Sequence, residues 1–331
     1  MGCGASVSLA VLFPLSYVGF LHIADHDGTD RNHPQSIQKR SIAAVVNNVL
    51  SVAITYFVLW QVRCALFFNR DFIVTFECIT IDLDPILKWN HDSASLKTSS
   101  CQDKLILKTV MSGILMAFQR NDSSPIRSMG FRPEGTLAAI VWPGILIGVL
   151  YTGQWVLLTL DGQLRSMFSV SEWKVSLRQH TWIRDVIVGP VTEEITFRCC
   201  CVALLKDCVS PTVAIVAGPL PFACSHLHHI GDDRRRGYTW SQAVARRVFQ
   251  LAYTYVFGAY ATYLFLNSGH ALAPIVTHAV CNCMGLPLFN EIGSFSKRWQ
   301  RVLLWTAYAS GMCGFVMLLG PLTRPELYQK W

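Results

Sequence analysis

The sequence predicts an all-α protein: a polytopic transmembrane helix bundle with an intramembrane catalytic cavity. Three observations lead there. Of 331 residues, 52% are hydrophobic and only 15% are charged, with mean hydropathy +0.35. A soluble domain normally carries about 25% charged residues, so the deficit points to lipid as solvent. Apolar stretches recur through most of the chain, several of them reaching the roughly 20 residues that cross a bilayer. Polar and ionisable residues nevertheless interrupt three of these stretches, and such residues at membrane depth usually serve a function. One integral membrane domain, 1–331, is expected.

Taken in order, the first segments lie near 5–22 and 42–66. The first lacks a basic leader and an obvious small-residue cleavage site, so it reads as a retained span or signal anchor. Met1-Gly2-Cys3-Gly4-Ala5-Ser6 fits the myristoylation pattern, although a polytopic protein gains little from one weak acyl anchor. Between these segments, 24–40 is a solvated loop holding Asp25, His26, Asp27, Arg31, His33, Lys39 and Arg40. Residues 67–104 are polar and too long for a tight helical connection. The region 64–125 therefore reads as an atypical insertion or loop, with 105–119 short for a span and suited to the interface. Asn121-Asp122-Ser123 is a glycosylation sequon, informative only if lumenal. Further spans are expected near 136–160, 210–230, 244–267, 270–289 and 302–320, with the charge-bearing 183–206 as an eighth.

Net charge is +7 and the pI is near 8.8. The basic residues flank apolar spans, as cytoplasmic loops do, and Arg234, Arg235, Arg236, Arg246 and Arg247 form the densest cluster. Motifs that read bases or bind phosphates are missing, so nucleic acid is an unsuitable partner. Among twelve cysteines, Cys199, Cys200, Cys201, Cys224, Cys281, Cys283 and Cys313 lie in apolar surroundings, where cysteine behaves as a small hydrophobe. No Cys-x-x-Cys pair exists, which argues against a zinc ribbon, and reduced thiols are expected.

The most informative run is Trp182-Ile183-Arg184-Asp185-Val186-Ile187-Val188-Gly189-Pro190-Val191-Thr192-Glu193-Glu194-Ile195-Thr196-Phe197-Arg198. A charged residue at membrane depth costs about 2.5–3.5 kcal/mol on insertion scales, so it normally faces the bundle interior or a wet cavity. Glu194 and Arg198 are spaced i,i+4 and can pair on one face. Glu193 then points about 100° away and is left for another task. A plain alternative is a helix start at an interface, with Pro190 and Thr192 opening the helix and the glutamates complementing its dipole. A second run, Phe222-Ala223-Cys224-Ser225-His226-Leu227-His228-His229, closes an apolar segment, and His226 and His229 share a face if the helix persists. A polar helix end at the water interface would explain it equally simply. In a third, His278 and Asn282 project i,i+4 from the stretch 270–289, where they could also bond neighbouring helices. Together the three supply a carboxylate, a histidine and a histidine–asparagine pair. That set can activate a water and stabilise an oxyanion.

Glu193-Glu194-x-x-x-Arg198, Phe222-x-x-x-His226 and His278-x-x-x-Asn282 resemble, in order and spacing, the motifs of the CAAX prenyl protease type II family, also called Ras-converting enzyme. Met129-Gly130-Phe131-Arg132, His226-Leu227-His228-His229, Val256-Phe257-Gly258-Ala259-Tyr260, Gly269-His270 and the closing Pro321-Leu322-Thr323…Leu327-Tyr328 resemble its eukaryotic branch. The likeness is strong over 129–328, the expected protease core, weak over the first 45 residues, and departs over 64–125. It implies about eight membrane helices in the endoplasmic reticulum and a cavity open to the cytosol. The implied reaction is removal of the last three residues from farnesylated or geranylgeranylated CaaX proteins such as Ras-like small GTPases. The prenyl chain would lie between helices toward lipid, and the peptide would enter from the polar side.

The resemblance assigns Glu193 and His226 to water activation, and His278 and Asn282 to the oxyanion. Glu194, Arg198, Phe222 and His229 take supporting roles, and no cofactor or metal is required. Three rivals stand beside it. Glu193, His226 and His278 could form a three-ligand zinc site, though a His-Glu-x-x-His arrangement is missing. Cys281, three residues after His278, could be a nucleophile. A non-catalytic membrane scaffold of the same superfamily is the third.

Overall fold

In the computed structural model, residues 3–24, 26, 30–81 and 124–329 are described, with the backbone alone for 63–81. The expectations for Gly2, for 105–119 and for the sequon at Asn121 fall outside these residues, as does most of 64–125. Among the described residues there is no strand. Helix α1 (Cys3–Ala24) and α2 (Pro34–Ile81) pack side by side. The stretch 136–160, expected as one span, is two helices, α3 (Thr136–Leu150) and α4 (Thr152–Leu160), bent by 63° at Tyr151. Then comes a segment, 180–205, in which Gly189–Glu194 (α5) is flanked by π-helical turns at Arg184–Val188 and Ile195–Val202. Next are α6 (Pro211–Ala217), α7 (Pro219–Ser225), a 3₁₀ turn at His226–His228, and α8 (His229–Arg235). The chain continues through α9 (Trp240–Ser268), α10 (Leu272–Met284) and α11 (Arg298–Leu322).

Local chemistry explains these boundaries. Ser210 caps α6 by accepting from the Val213 amide, and Pro211 follows at the first helical position, where its missing N–H costs nothing. Thr239 and Gln242 form a reciprocal capping box at the start of α9. Gly269, at φ +60°, ends that helix in the left-handed region glycine adopts freely. Gly135, at φ +79°, lets the buried C-terminal Tyr328 dock against the start of α3: a Cβ there would stand 2.0 Å from the Tyr328 carbonyl oxygen.

Five helical segments are long and apolar enough to cross a membrane: Cys3–Ala24, Pro34–Val62, Pro211–Arg235, Leu272–Ser294 and Arg298–Leu322. The bent α3–α4 pair makes a sixth if counted as one span, so the eight implied by the resemblance are not reached among the described residues. The stretch 244–267 forms one helix, α9, although Trp240–Ser268 is not among those apolar enough. Outward-facing Leu12, Leu15, Val49, Phe57, Val302, Trp305, Val316 and Met317 are exposed, an apolar surface suited to acyl chains. The centre is built where Ala10 and Phe13 of α1, Val58 and Leu59 of α2, Cys199–Cys201 and Phe265 of α9 meet. Polar side chains on α2 reach inward: Asn48 accepts from Thr196 at 2.6 Å, and Asn47 accepts from Ser16 of α1 at 2.9 Å. The first contact ties the 180–205 segment to α2, and the second ties α2 to α1.

One expectation is corrected for two thiols. Cys3, at the start of α1, and Cys208, just beyond the 180–205 segment, form a disulfide with Cα atoms 5.4 Å apart. Their partnership bridges 205 residues of sequence, which spacing alone does not reveal.

Candidate active site

Both glutamates sit on α5 between the π turns. A π turn takes an extra residue and resets which way the following side chains face. Glu194 is fully buried and Arg198 is 1% exposed, and Arg198 Nη1 donates to Glu194 Oε1 at 2.9 Å. The pair forms across i,i+4 even though the second π turn begins at Ile195. Arg198 Nη2 also donates to the Gly258 carbonyl at 3.3 Å, while its guanidinium lies 4.8 Å from the centre of the Phe222 ring. Glu194 has a second donor from a distant helix: His278 Nδ1 lies 2.7 Å from the same Oε1. With Nδ1–H committed to a carboxylate, the ring turns Nε2 toward Glu193, whose Oε2 stands 3.9 Å away. Glu193 itself keeps 24% of its side chain accessible.

His226 follows α7, where the helix tightens into the 3₁₀ turn, and three residues per turn keep His226 and His229 on one side, their ring centres 6.4 Å apart. Its Nδ1 lies 3.0 Å from the Phe222 carbonyl, which leaves Nε2 without that commitment. Phe222 is buried at the hub, edge-on to His226 at 5.2 Å and to His278 at 6.2 Å between ring centres. His228 bonds the Ser225 carbonyl through Nδ1, and His229 bonds Asp232 at 3.0 Å. Asn282 lies further along α10, and its Nδ2 donates to the Asp185 carbonyl at 2.8 Å. An amide nitrogen has two hydrogens, so one donor remains.

Two cavities meet here. A polar one of ≈ 140 Å³ is lined by Glu193, His226, Asn282, Tyr17, Arg31 and Asp185, among others. An apolar groove of ≈ 520 Å³ is lined by His278, Phe257, Tyr260, Leu286, Met312 and Phe315, among others, and it too reaches His226 and Asn282. Glu193 thus opens onto the polar side, His278 onto the apolar side, and His226 with Asn282 onto both. Among the described residues no three His, Cys, Asp or Glu side chains are placed to hold a metal ion, so the zinc set Glu193, His226 and His278 does not converge as ligands. Cys281 lines the apolar groove, away from the polar cavity.

Sequence reasoning gave no site role to Tyr17, Thr192, Arg31, Arg184 and Asp185. Thr192 donates to the Val188 carbonyl at 2.8 Å and accepts from the buried Tyr17 hydroxyl at 2.9 Å, tying α1 to α5 beside Glu193. Thr192 adjoins the double glutamate and was legible as a neighbour. Tyr17 carries no local signal.

Fold and site together define a helical, multi-pass membrane protein with a glutamate, two histidines and an asparagine gathered where a polar cavity meets an apolar groove. Residues 179–284 match the family described as type II CAAX prenyl endopeptidase Rce1-like. The chain is 36% identical over 319 residues to CAAX prenyl protease 2 of Caenorhabditis elegans, covering 96% of this chain and 97% of that protein. It is 34% identical to CAAX prenyl protease 2 of Homo sapiens over 213 residues, 62% of this chain and 64% of the human one. The Arabidopsis thaliana CAAX prenyl protease 2 is 33% identical over 222 residues, 60% of this chain and 68% of that protein. No solved structure matches the chain. The chain belongs to the type II CAAX prenyl endopeptidase family.

Proposed function

We propose that this protein is a CaaX-processing endopeptidase that removes the terminal tripeptide from farnesylated or geranylgeranylated proteins, Ras-like small GTPases included. The observation that supports it most is the sharing of His226 and Asn282 between the polar cavity and the apolar groove. A substrate with a peptide on one side of the scissile bond and an isoprenoid on the other needs that pairing of environments. The isoprenoid lies along Phe257, Tyr260, Met312 and Phe315, where each buried CH₂ contributes about 0.8 kcal/mol. The peptide lies in the polar cavity.

In the proposed reaction, Glu193 takes a proton from water, assisted by His226 through Nε2, and the water oxygen attacks the scissile carbonyl carbon. An oxygen about 2.8 Å from both Glu193 Oε2 and His278 Nε2 fits across their 3.9 Å separation. His278 Nε2–H and the second N–H of Asn282 donate to the oxyanion. The proton then passes from Glu193 to the departing amine as the C–N bond breaks. The oxyanion role of His278 needs a hydrogen on Nε2 as well as the one Nδ1 directs at Glu194. Glu194 acts through His278 and Arg198, as a positioning residue.

The same reading places the protein in the endoplasmic reticulum membrane with the polar cavity facing the cytosol. Disulfides persist in the oxidising lumen, which supports the reading that the Cys3 end of α1 lies on that side. The 22 residues of α1 span about 33 Å, so its far end, beside Arg31, lies at the opposite face. Arg31, Arg184, Arg236 and Arg247 gather there, in keeping with the bias of basic residues toward the cytosol. Mass spectrometry of a farnesylated CaaX peptide incubated with the protein in liposomes tests the reaction. Release of an intact tripeptide is expected; stepwise loss of single residues would contradict an endopeptidase.

A further inference from the structure

The polar cavity contains a cation that the proposed chemistry does not use. Arg31, in the loop between α1 and α2, lines the cavity that holds Glu193 and His226. It also lines a neighbouring cavity of ≈ 270 Å³, reached past His22, His26, Arg40 and His228. Arg31 therefore stands in the wall between the two.

The residue is held from both ends. Asp232 Oδ2 lies 3.0 Å from His229 Nδ1 and fixes the proton there. That leaves His229 Nε2 as an acceptor, 3.4 Å from Arg31 Nη1. At the backbone, Arg184 Nη1 donates to the Arg31 carbonyl at 2.9 Å and to Asn32 Oδ1 at 3.1 Å. Arg184 also pairs with Asp185 through Nε and Nη2, at 2.7 and 3.0 Å, so those two charges cancel. Among the described residues Arg31 makes no comparable ion pair, its polar side-chain contacts being to the His229 ring. Burial, with the like charges of Arg184 and Arg40, brings its pKa down to about 10, against weaker support from Asp185 and Asp232. At neutral pH it stays cationic in a place that disfavours a cation, and an incoming anion relieves that cost.

We propose that Arg31 binds the free α-carboxylate of the substrate's tail, so that the cavity measures the cleavage position from the end of the chain. This rests on the proposed reaction, since it is the product tripeptide that carries that carboxylate. A guanidinium fork matches a carboxylate at two points, which a single ammonium does not. His229 and Asp232 then act as positioning residues for Arg31.

The test uses binding without turnover. Farnesylated tetrapeptides whose scissile amide is reduced to a methylene-amine are prepared with a terminal carboxylate or a terminal carboxamide. Affinity is measured for the full chain in phosphatidylcholine vesicles. The carboxylate form is expected to bind about 10- to 100-fold more tightly, the range for a hydrogen-bonded charge. Arg31→Ala is expected to erase that preference while leaving carboxamide binding unchanged, which also reports an intact fold. Arg31→Lys keeps part of it. Equal binding of the two forms by the wild-type protein overturns the proposal, as does a full preference surviving in Arg31→Ala. The outcomes separate the anchor from the chemistry. Carboxylate preference lost in Arg31→Ala, with no hydrolysis of the cleavable peptide, sinks the reaction and keeps the anchor. Hydrolysis without carboxylate preference does the reverse.

Discussion

His278 Nδ1 sits 2.7 Å from Glu194 Oε1, the same oxygen that receives Arg198. This one carboxylate oxygen joins α5 to α10 across 84 residues of sequence and decides which imidazole nitrogen faces Glu193. The two adjacent glutamates consequently differ in kind: Glu194 is enclosed among its donors, and Glu193 is open to the polar cavity.

Substitution should separate them. Glu194→Ala strands the buried Arg198 charge, which costs about 3–5 kcal/mol. Its thermal unfolding in detergent is expected well below that of the wild type, with activity lost as well. Glu193→Gln is expected to unfold near the wild-type temperature. Equal stabilities for the two variants would contradict the division.

Asn282→Ala removes the donor proposed for the oxyanion. Steady-state kinetics should show kcat falling by about 10²–10³ with KM little changed, as for other oxyanion donors. A rise in KM with kcat preserved would reduce Asn282 to a helix tie, holding only the Asp185 carbonyl.

The apolar groove is the site proposed for the isoprenoid. Met312→Trp narrows it at the edge formed by α11. A geranylgeranylated substrate, one isoprene unit longer, is expected to lose more kcat/KM than a farnesylated one. Identical losses for both would place the isoprenoid elsewhere.

Much of this was readable from the chain because it is local. The apolar runs of α1, α2 and α11 follow from composition, and the Glu194–Arg198 pair follows from i,i+4 spacing. The tightening after Ser225 was less accessible: three histidines in four residues fitted either a persisting helix or a polar helix end, and Nδ1 of His226 and of His228 each bond a backbone carbonyl in that turn. The π turns around α5 and the bend at Tyr151 depend on packing and leave no periodic trace. Contacts between distant segments were hidden altogether. Tyr17 with Thr192, Cys3 with Cys208, and Arg31 with His229 join segments 175 to 205 residues apart.

The most direct measurement is hydrolysis of a farnesylated CaaX peptide by the purified protein in liposomes, wild type against Glu193→Ala. A general base contributes typically about 10²–10⁴-fold. The expected result is tripeptide release by the wild type and a loss of at least that order in the variant, which still binds the farnesylated peptide. Unaltered turnover in Glu193→Ala, or an inactive wild type, would contradict Glu193 as the base.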